Sequence, residues 1–200
     1  ALQWLYGVNI EHATGSNVYR LPVGNKRGTG WKAIWDAGGQ DRIDGSRAKT
    51  SVTIDLRNAT LDQSKHAGGY ISSVEGVFGG FTIAHDWNGT TTEDPAGLCI
   101  IEDATGGAAD DRLLGNMASN RLRGRKGDDV LYGGIGGSDI LIGGRGRDQF
   151  WIDTNPGSFA KVNDFRAGID QLVFSVPKID LSLERVGRHL VIEHADSPVA

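Results

Sequence analysis

Apolar residues along this chain fall singly or in short alternating runs between Gly, Asn and Asp, and almost nowhere at helical spacing. Alternation over residues 51–56 and 81–85 predicts strands, because successive side chains of a strand point to opposite faces. Residues 31–35, the apolar run 98–101 and, further on, 160–165, 171–175, 181–185 and 188–193 read the same way. Residues 14–19 read as a turn feeding a strand. The exception is 1–7, which reads as the end of a helix stopped by glycine. The predicted class is all-β, with one short N-terminal helix.

One stretch follows a stricter rule. Between Gly106 and Trp151 the chain repeats about every nine residues on the pattern G-G-x-G-x-D-x-U-x, where U is a large aliphatic or aromatic residue. The segments are GGAADDRLL, GNMASNRLR, GRKGDDVLY, GGIGGSDILI and GGRGRDQFW. Glycine gives up much backbone entropy in a helix or strand, so the leading residues predict a tight turn that bares carbonyls and ends in a carboxylate. The remaining x-U-x is long enough for one short strand with its apolar side chain turned inward. Stacked units form a flattened coil with a core ladder of Leu113, Leu122, Leu131, Leu141 and Phe150. Such a core is thin, so burial alone is not expected to hold it. Oxygen-rich turns stacked one strand spacing apart make cages for a hard cation, and Ca²⁺ takes roughly six to eight oxygens.

Composition sharpens this picture. Glycine supplies 30 of 200 residues and concentrates in the repeats, which argues for turns over disorder. A net charge of −4 argues against nucleic acid or an anionic membrane as partner. No apolar run is long enough for a membrane span and no basic-then-apolar leader is visible, so neither membrane insertion nor an N-terminal secretion signal is expected. Cys99 is the single cysteine, which excludes an internal disulfide and leaves stapling to metal. A lone copy of the repeat lies upstream at residues 36–44, DAGGQDRID, with Asp41 in the carboxylate position and Ile43 in the apolar one.

Taken in order, the words LQWLYGVN, TGSNVY, IWDAGGQDRID, FTIAH and IIEDATGGAADDRLLGNMASNRLRG resemble a known arrangement. The tandem repeats are similar to RTX nonapeptides. The whole, over residues 1 to about 175, resembles the C-terminal calcium-binding domain of serralysin-type secreted zinc metalloproteases. The resemblance implies a parallel β-roll flanked by β-sandwich-like strands. It divides the chain into an N-terminal β region (1–105), a calcium-binding roll (106–151) and C-terminal capping strands (152–200). It further implies several Ca²⁺ ions, an extracellular location, a type I secretion exporter as partner and an N-terminal protease domain. That family's protease zinc helix, HExxHxxGxxH, is not found: His12, His66, His85, His189 and His194 are scattered. No zinc and no catalytic constellation are therefore expected in this chain.

The resemblance also implies ligands. In each turn the carbonyls of positions one to four and the position-six carboxylate face calcium, and turns alternate between two edges of the roll. Repeats one, three and five thus share an edge, with Gly106, Ala108, Ala109 and Asp111, then Gly124, Arg125, Lys126, Gly127 and Asp129, then Gly144, Gly146 and Asp148. Upstream, Ala13, Gly15, Asn17, Asp36, Gly38 and Asp41 form a first site, and Gly39, Asp41, Ile100 and Glu102 a second. Departures from the pattern matter as much. Ala109 and Arg125 stand where glycine is usual, and a left-handed backbone there would be strained by about 1–2 kcal/mol. Asn120 offers no carboxylate, and repeat four carries an extra residue before Asp139, so the second edge is expected to bind weakly or not at all. Residues 86–98, with Trp87, look like an insertion, and the C-terminal residues match the family's acidic-then-apolar tail poorly.

Two other function classes stay open. A polysaccharide- or partner-binding roll would use exposed aromatics such as Tyr70, Trp87 and Tyr132. An enzyme could use the pairs Glu93/Asp94 or Glu102/Asp103, but neighbours in a strand face opposite ways.

Overall fold

The computed structural model describes residues 13–59, 70–84, 99–153, 158–174, 181–187 and 189–194. The helix expected at 1–7, the insertion with Trp87 and the C-terminal tail lie outside the described residues. Within them the chain is all-β.

Two eight-stranded sheets are formed. The first runs, in spatial order, β1 (Val18–Arg20), β3 (Arg42–Asp44), β7 (Asp103–Thr105), β9 (Arg121–Lys126), β11 (Ser138–Arg145), β13 (Phe159–Val162), β16 (His189–His194) and β15 (Leu181–Val186). The second runs β14 (Gln171–Phe174), β12 (Gln149–Ile152), β10 (Val130–Tyr132), β8 (Arg112–Leu114), β4 (Val52–Asp55), β5 (Ser72–Val74), β6 (Gly80–Ile83) and β2 (Trp31–Ile34). From β7 to β14 the chain crosses from one sheet to the other at every strand, so each coil of the solenoid gives one strand to each sheet. Strands from successive coils then pair in parallel, which the nine-residue period requires. Antiparallel strands flank the coil: β4–β5–β6 on one side, β13–β16–β15 on the other.

Register makes the core. In the first sheet Ile43, Ala104, Leu122, Leu141 and Val162 stack side by side. In the second, Ile54, Leu113, Leu131, Phe150 and Leu172 do the same. The two ladders face each other in one hydrophobic cluster, and all but Leu172 are buried. Each fully buried large side chain contributes roughly 1.5–3 kcal/mol relative to exposure. Both ladders therefore continue beyond the tandem nonapeptides, onto β3 with its lone upstream copy and onto strands whose sequence does not carry the repeat.

The repeats were expected to give one three-residue strand each, and three of them give more, β12 by a single residue. β9 and β11 extend into the Gly-rich turns because Gly144 pairs with Arg125 and Arg145 with Lys126. Position one of the turn is glycine for lack of space: a Cβ on Gly124 would collide with Asp129 Oδ2, and one on Gly143 with Asp148 Oδ2.

Candidate metal centres

Every turn on the first edge of the coil ends in a carboxylate that accepts an N–H from the turn before it. Val52 donates to Asp111 Oδ1 at 2.7 Å, Asp111 to Asp129 Oδ1 at 2.9 Å and Asp129 to Asp148 Oδ1 at 3.1 Å. Asp111, Asp129 and Asp148 are thus brought together in one row. Asp148 in turn donates to Asp170 Oδ1 at 3.1 Å, so the row has a fourth carboxylate that the repeats do not announce. The spacing between members is 18, 19 and then 22 residues, a signal that could have found Asp170. Backbone carbonyls stack beside the carboxylates. Gly127, Gly144 and Gly146, with φ of 113°, 105° and 134°, pass so close to the carbonyls of Ala109, Arg125 and Gly127 respectively that no side chain would fit. Ala108 and Lys126 are exposed in the same turns.

The electrostatics of this row are unbalanced. Asp129 is fully buried, and its Oδ2 has no hydrogen-bonding partner. Burial pushes its carboxyl up to about 8, with the charges of Asp111 and Asp148 adding to the effect. Burial likewise pushes Asp111 and Asp148 up to about 6. Buried carboxylates normally have a counter-charge or a full set of donors. At Asp129, whose second oxygen has no donor, a set of carbonyl and carboxylate oxygens of this kind is the donor chemistry of a hard cation.

Outside this row runs a second, exposed ladder. Asp128 donates its N–H to Asp110 Oδ1 at 2.8 Å, and Arg147 donates to Asp128 Oδ1 at 2.7 Å. Position five of the repeat is therefore a turn-to-turn connector.

The upstream residues converge on the second edge. Asn17 donates its N–H to Asp41 Oδ1 at 2.7 Å, and Asp41 donates to Glu102 Oε2 at 2.8 Å. Asn17 Nδ2 donates to the Gly15 carbonyl at 2.6 Å, and Gly39 packs onto that same carbonyl. Asp36 is held through both oxygens, by the Gly38 N–H at 3.0 Å and the Tyr19 hydroxyl at 2.5 Å. Asp41 resembles Asp129: it is fully buried, its Oδ2 has no partner, and burial pushes it up to about 6. Burial also raises Glu102. Ala13 adopts a left-handed φ of 53°, and Ile100 lies half-buried two residues before Glu102. Cys99, buried, accepts the Asp36 N–H on Sγ at 3.1 Å.

Further along this edge the departures seen in the sequence take effect. Asn120 closes its turn with an amide: Oδ1 accepts the Asn116 N–H at 2.8 Å, and Nδ2 donates to the Glu102 carbonyl at 3.0 Å. Asn116 donates through Nδ2 to the carbonyls of Ile101 and Leu56, at 2.9 and 3.1 Å. The extra residue of repeat four does not displace its carboxylate. The turn takes it up in Gly136 and Gly137, with φ of 90° and 71°, and Asp139 Oδ1 still receives the Asn120 N–H at 2.9 Å. Asp139 is buried, which pushes it up to about 7.

The two non-glycine positions differ. Arg125 has a φ of 88°, the left-handed conformation expected to be strained there, and its Nη1 donates to the Ser46 carbonyl at 2.7 Å. Ala109 is not among the non-glycine residues with positive φ, so the strain expected at it is not present.

Other readings find less geometry. Among the described residues no group of three or more His, Cys, Asp or Glu side chains gathers as a metal cluster. Tyr70 carries the Arg57 guanidinium 3.7 Å above its ring, and Tyr132 is half-buried.

Comparison with known proteins adds context. A family model described as Peptidase M10 serralysin C terminal matches residues 30–192. Serralysin G of Dickeya chrysanthemi is 34% identical over 131 residues, covering 61% of this chain and 23% of that protein. Metallopeptidase AprA of Pseudomonas marginalis is 34% identical over 198 residues, covering 91% of this chain and 35% of that protein. The chain thus matches about a quarter to a third of the length of these relatives.

Proposed function

The chain belongs to the serralysin C-terminal family, and from that premise we propose that it is the non-catalytic, calcium-binding domain of a secreted zinc metalloprotease. The observation that carries the calcium reading is the buried Asp129 carboxylate, unpartnered at Oδ2 and crowded by the like charges of Asp111 and Asp148. On the first edge Asp111, Asp129 and Asp148 would hold calcium with the carbonyls of Ala109, Arg125 and Gly127. On the second, Asp36, Asp41 and Glu102 would do so with the carbonyls of Gly15 and Gly39. When bound, the ion supplies the positive charge that neutralises these groups and ties successive turns together.

The residues themselves suggest why this is useful. Asp110, Asp111, Asp128 and Asp129 crowd negative charge into neighbouring turns, which opposes folding where calcium is scarce. In a bacterial cytosol the chain would remain threadable through a type I exporter. Outside the cell, calcium at about 1 mM would exceed dissociation constants of roughly 10⁻⁴–10⁻³ M. Each occupied site then adds RT ln(1 + [L]/Kd), roughly 0.4–1.4 kcal/mol, and sites sharing Asp129 or Asp41 would fill together. The partners in this reading are the exporter and an N-terminal protease domain bearing the zinc.

Far-UV circular dichroism tests the proposal. A chain unfolded in chelator should gain its β signal cooperatively near millimolar calcium. A full β signal in chelator, unchanged by calcium, would overturn it.

A further inference from the structure

The row of carboxylates on the first edge does not end on a nonapeptide; it ends on Asp170. In the last cage of that row the chain supplies its own cation. Arg166, one helical turn's length of sequence before Asp170, directs Nη2 to Asp170 Oδ1 at 2.8 Å and Nε to Asp170 Oδ2 at 3.1 Å. Nη2 also donates to the Gly146 carbonyl and lies 3.4 Å from Asp148 Oδ2. The Asp170 and Asp148 side chains are each 1% exposed, so the guanidinium meets carboxylates that water hardly reaches.

These partners are the set that the repeat chemistry offers to a cation between two turns. Gly146 holds position four of repeat five, Asp148 holds position six, and Asp170 takes the part of the next turn's carboxylate. A planar guanidinium grips one carboxylate through two N–H groups and has others left for a carbonyl and a second carboxylate. Earlier in the row Asp129 Oδ2 has no partner, and among the described residues neither Asp111 nor Asp129 forms an ion pair. The contrast lies within one row of like turns. Arg125, in repeat three of the same edge, instead reaches past its own turn to the Ser46 carbonyl.

We propose that Arg166 is a resident cation that fills the C-terminal cage of the Asp111–Asp129–Asp148–Asp170 row, so that this cage takes no metal ion. The calcium requirement then falls on the cages around Asp129 and on the second edge. An arginine keeps its charge across the physiological pH range and cannot be removed by a chelator. The cation for the C-terminal cage is therefore at hand in every calcium concentration, and when the roll forms the turns that need metal stack onto an end that needs none.

The proposal rests on the calcium reading only for the cages upstream, and the test separates the two. Arg166→Gln opens the last cage; Arg147→Gln removes the same charge from an exposed side chain of the neighbouring turn. Ion counting by native mass spectrometry at saturating calcium is expected to find one more ion on Arg166→Gln than on the unaltered chain, and none extra on Arg147→Gln. An equal count on all three would overturn the proposal. Should Arg166→Gln not fold, Arg166→Lys decides, since it keeps a cation there: an unchanged count supports the proposal and an extra ion overturns it. If the unaltered chain binds no calcium at all, the calcium reading fails by itself. Arg166 is then judged by thermal melting in chelator, where Arg166→Gln must melt below Arg147→Gln.

Discussion

Asn120 Nδ2 donates to the Glu102 carbonyl at 3.0 Å, whereas Asp129, the residue in the same position of the following repeat, has a carboxylate oxygen with no partner. One molecule thus holds two solutions to the same turn, an amide that satisfies itself and a carboxylate that does not. Asp129→Asn should convert the second into the first. Its Oδ1 can still accept the Asp111 N–H, and an N–H donor replaces the unpartnered oxygen among backbone carbonyls. Removing a buried unsatisfied group of this kind is worth about 1–3 kcal/mol. The variant should therefore be more stable than the unaltered chain in chelator and less responsive to calcium. Thermal melts followed by circular dichroism, with and without calcium, give both numbers; a variant weakened in chelator would count against this reading of Asp129.

Acid should act on the metal-free chain in the same sense as the amide. Burial raises Asp129 to about 8, Asp139 to about 7, and Asp41, Asp111 and Asp148 to about 6, against a usual aspartate value of 3.8. The folded state thus binds protons more tightly than the unfolded one, so stability falls as pH rises through this interval and recovers as pH drops from about 8 towards 4. In chelator the β signal should be larger at pH 5 than at pH 8. In saturating calcium the trend should reverse, because protons compete with metal for the same oxygens. A chelator profile that is flat, or highest at pH 8, would show that these carboxylates are not the groups opposing folding.

The alternation of turns between two edges came with the resemblance to RTX nonapeptides, which put Asp111, Asp129 and Asp148 on one side, where the hydrogen-bonded row has them. The ladder from Leu113 to Phe150 was legible from the repeat itself, one apolar residue per period. Ile43 was legible too, from the lone upstream copy, but the continuation through Ile54, Ala104, Val162 and Leu172 was not, since those strands follow turns of irregular length and share only register with the repeats. Asp170 and Arg166 were missed because the word NDFRAGID contains no nonapeptide, although its aspartate lands in the row. The tolerance of repeat four was also hidden: two consecutive glycines absorb the added residue before Asp139, which a count of positions does not reveal.

The core ladder should carry most of the stability once the turns are set. Leu131 is fully buried and lies between Leu113 and Phe150. Truncation to alanine there leaves a cavity that both neighbouring coils border, and such changes cost about 2–5 kcal/mol. Leu131→Ala should unfold at clearly lower urea than the unaltered chain in saturating calcium. Leu172→Ala, at the half-buried end of the same ladder, should lose less. Equal losses at the two positions would argue that the ladder does not act as a graded core.

Arg125 offers the opposite kind of change, a substitution expected to stabilise. Its φ of 88° places a side chain in the left-handed region, a strain on the order of 1–2 kcal/mol for a residue with a Cβ. Arg125→Gly removes that strain but gives up the hydrogen bond from Nη1 to the Ser46 carbonyl, an exposed contact worth about 0.5–1 kcal/mol. Glycine also leaves the unfolded chain more freedom, which offsets part of the gain. The net effect should be a small stabilisation, below about 1 kcal/mol. It should appear as a modest rise in the urea midpoint at saturating calcium, with calcium stoichiometry unchanged because the expected ligand at this position is the backbone carbonyl. A loss of stability on Arg125→Gly would mean that the tie from Arg125 to Ser46, which spans the intervening turn, outweighs the backbone strain.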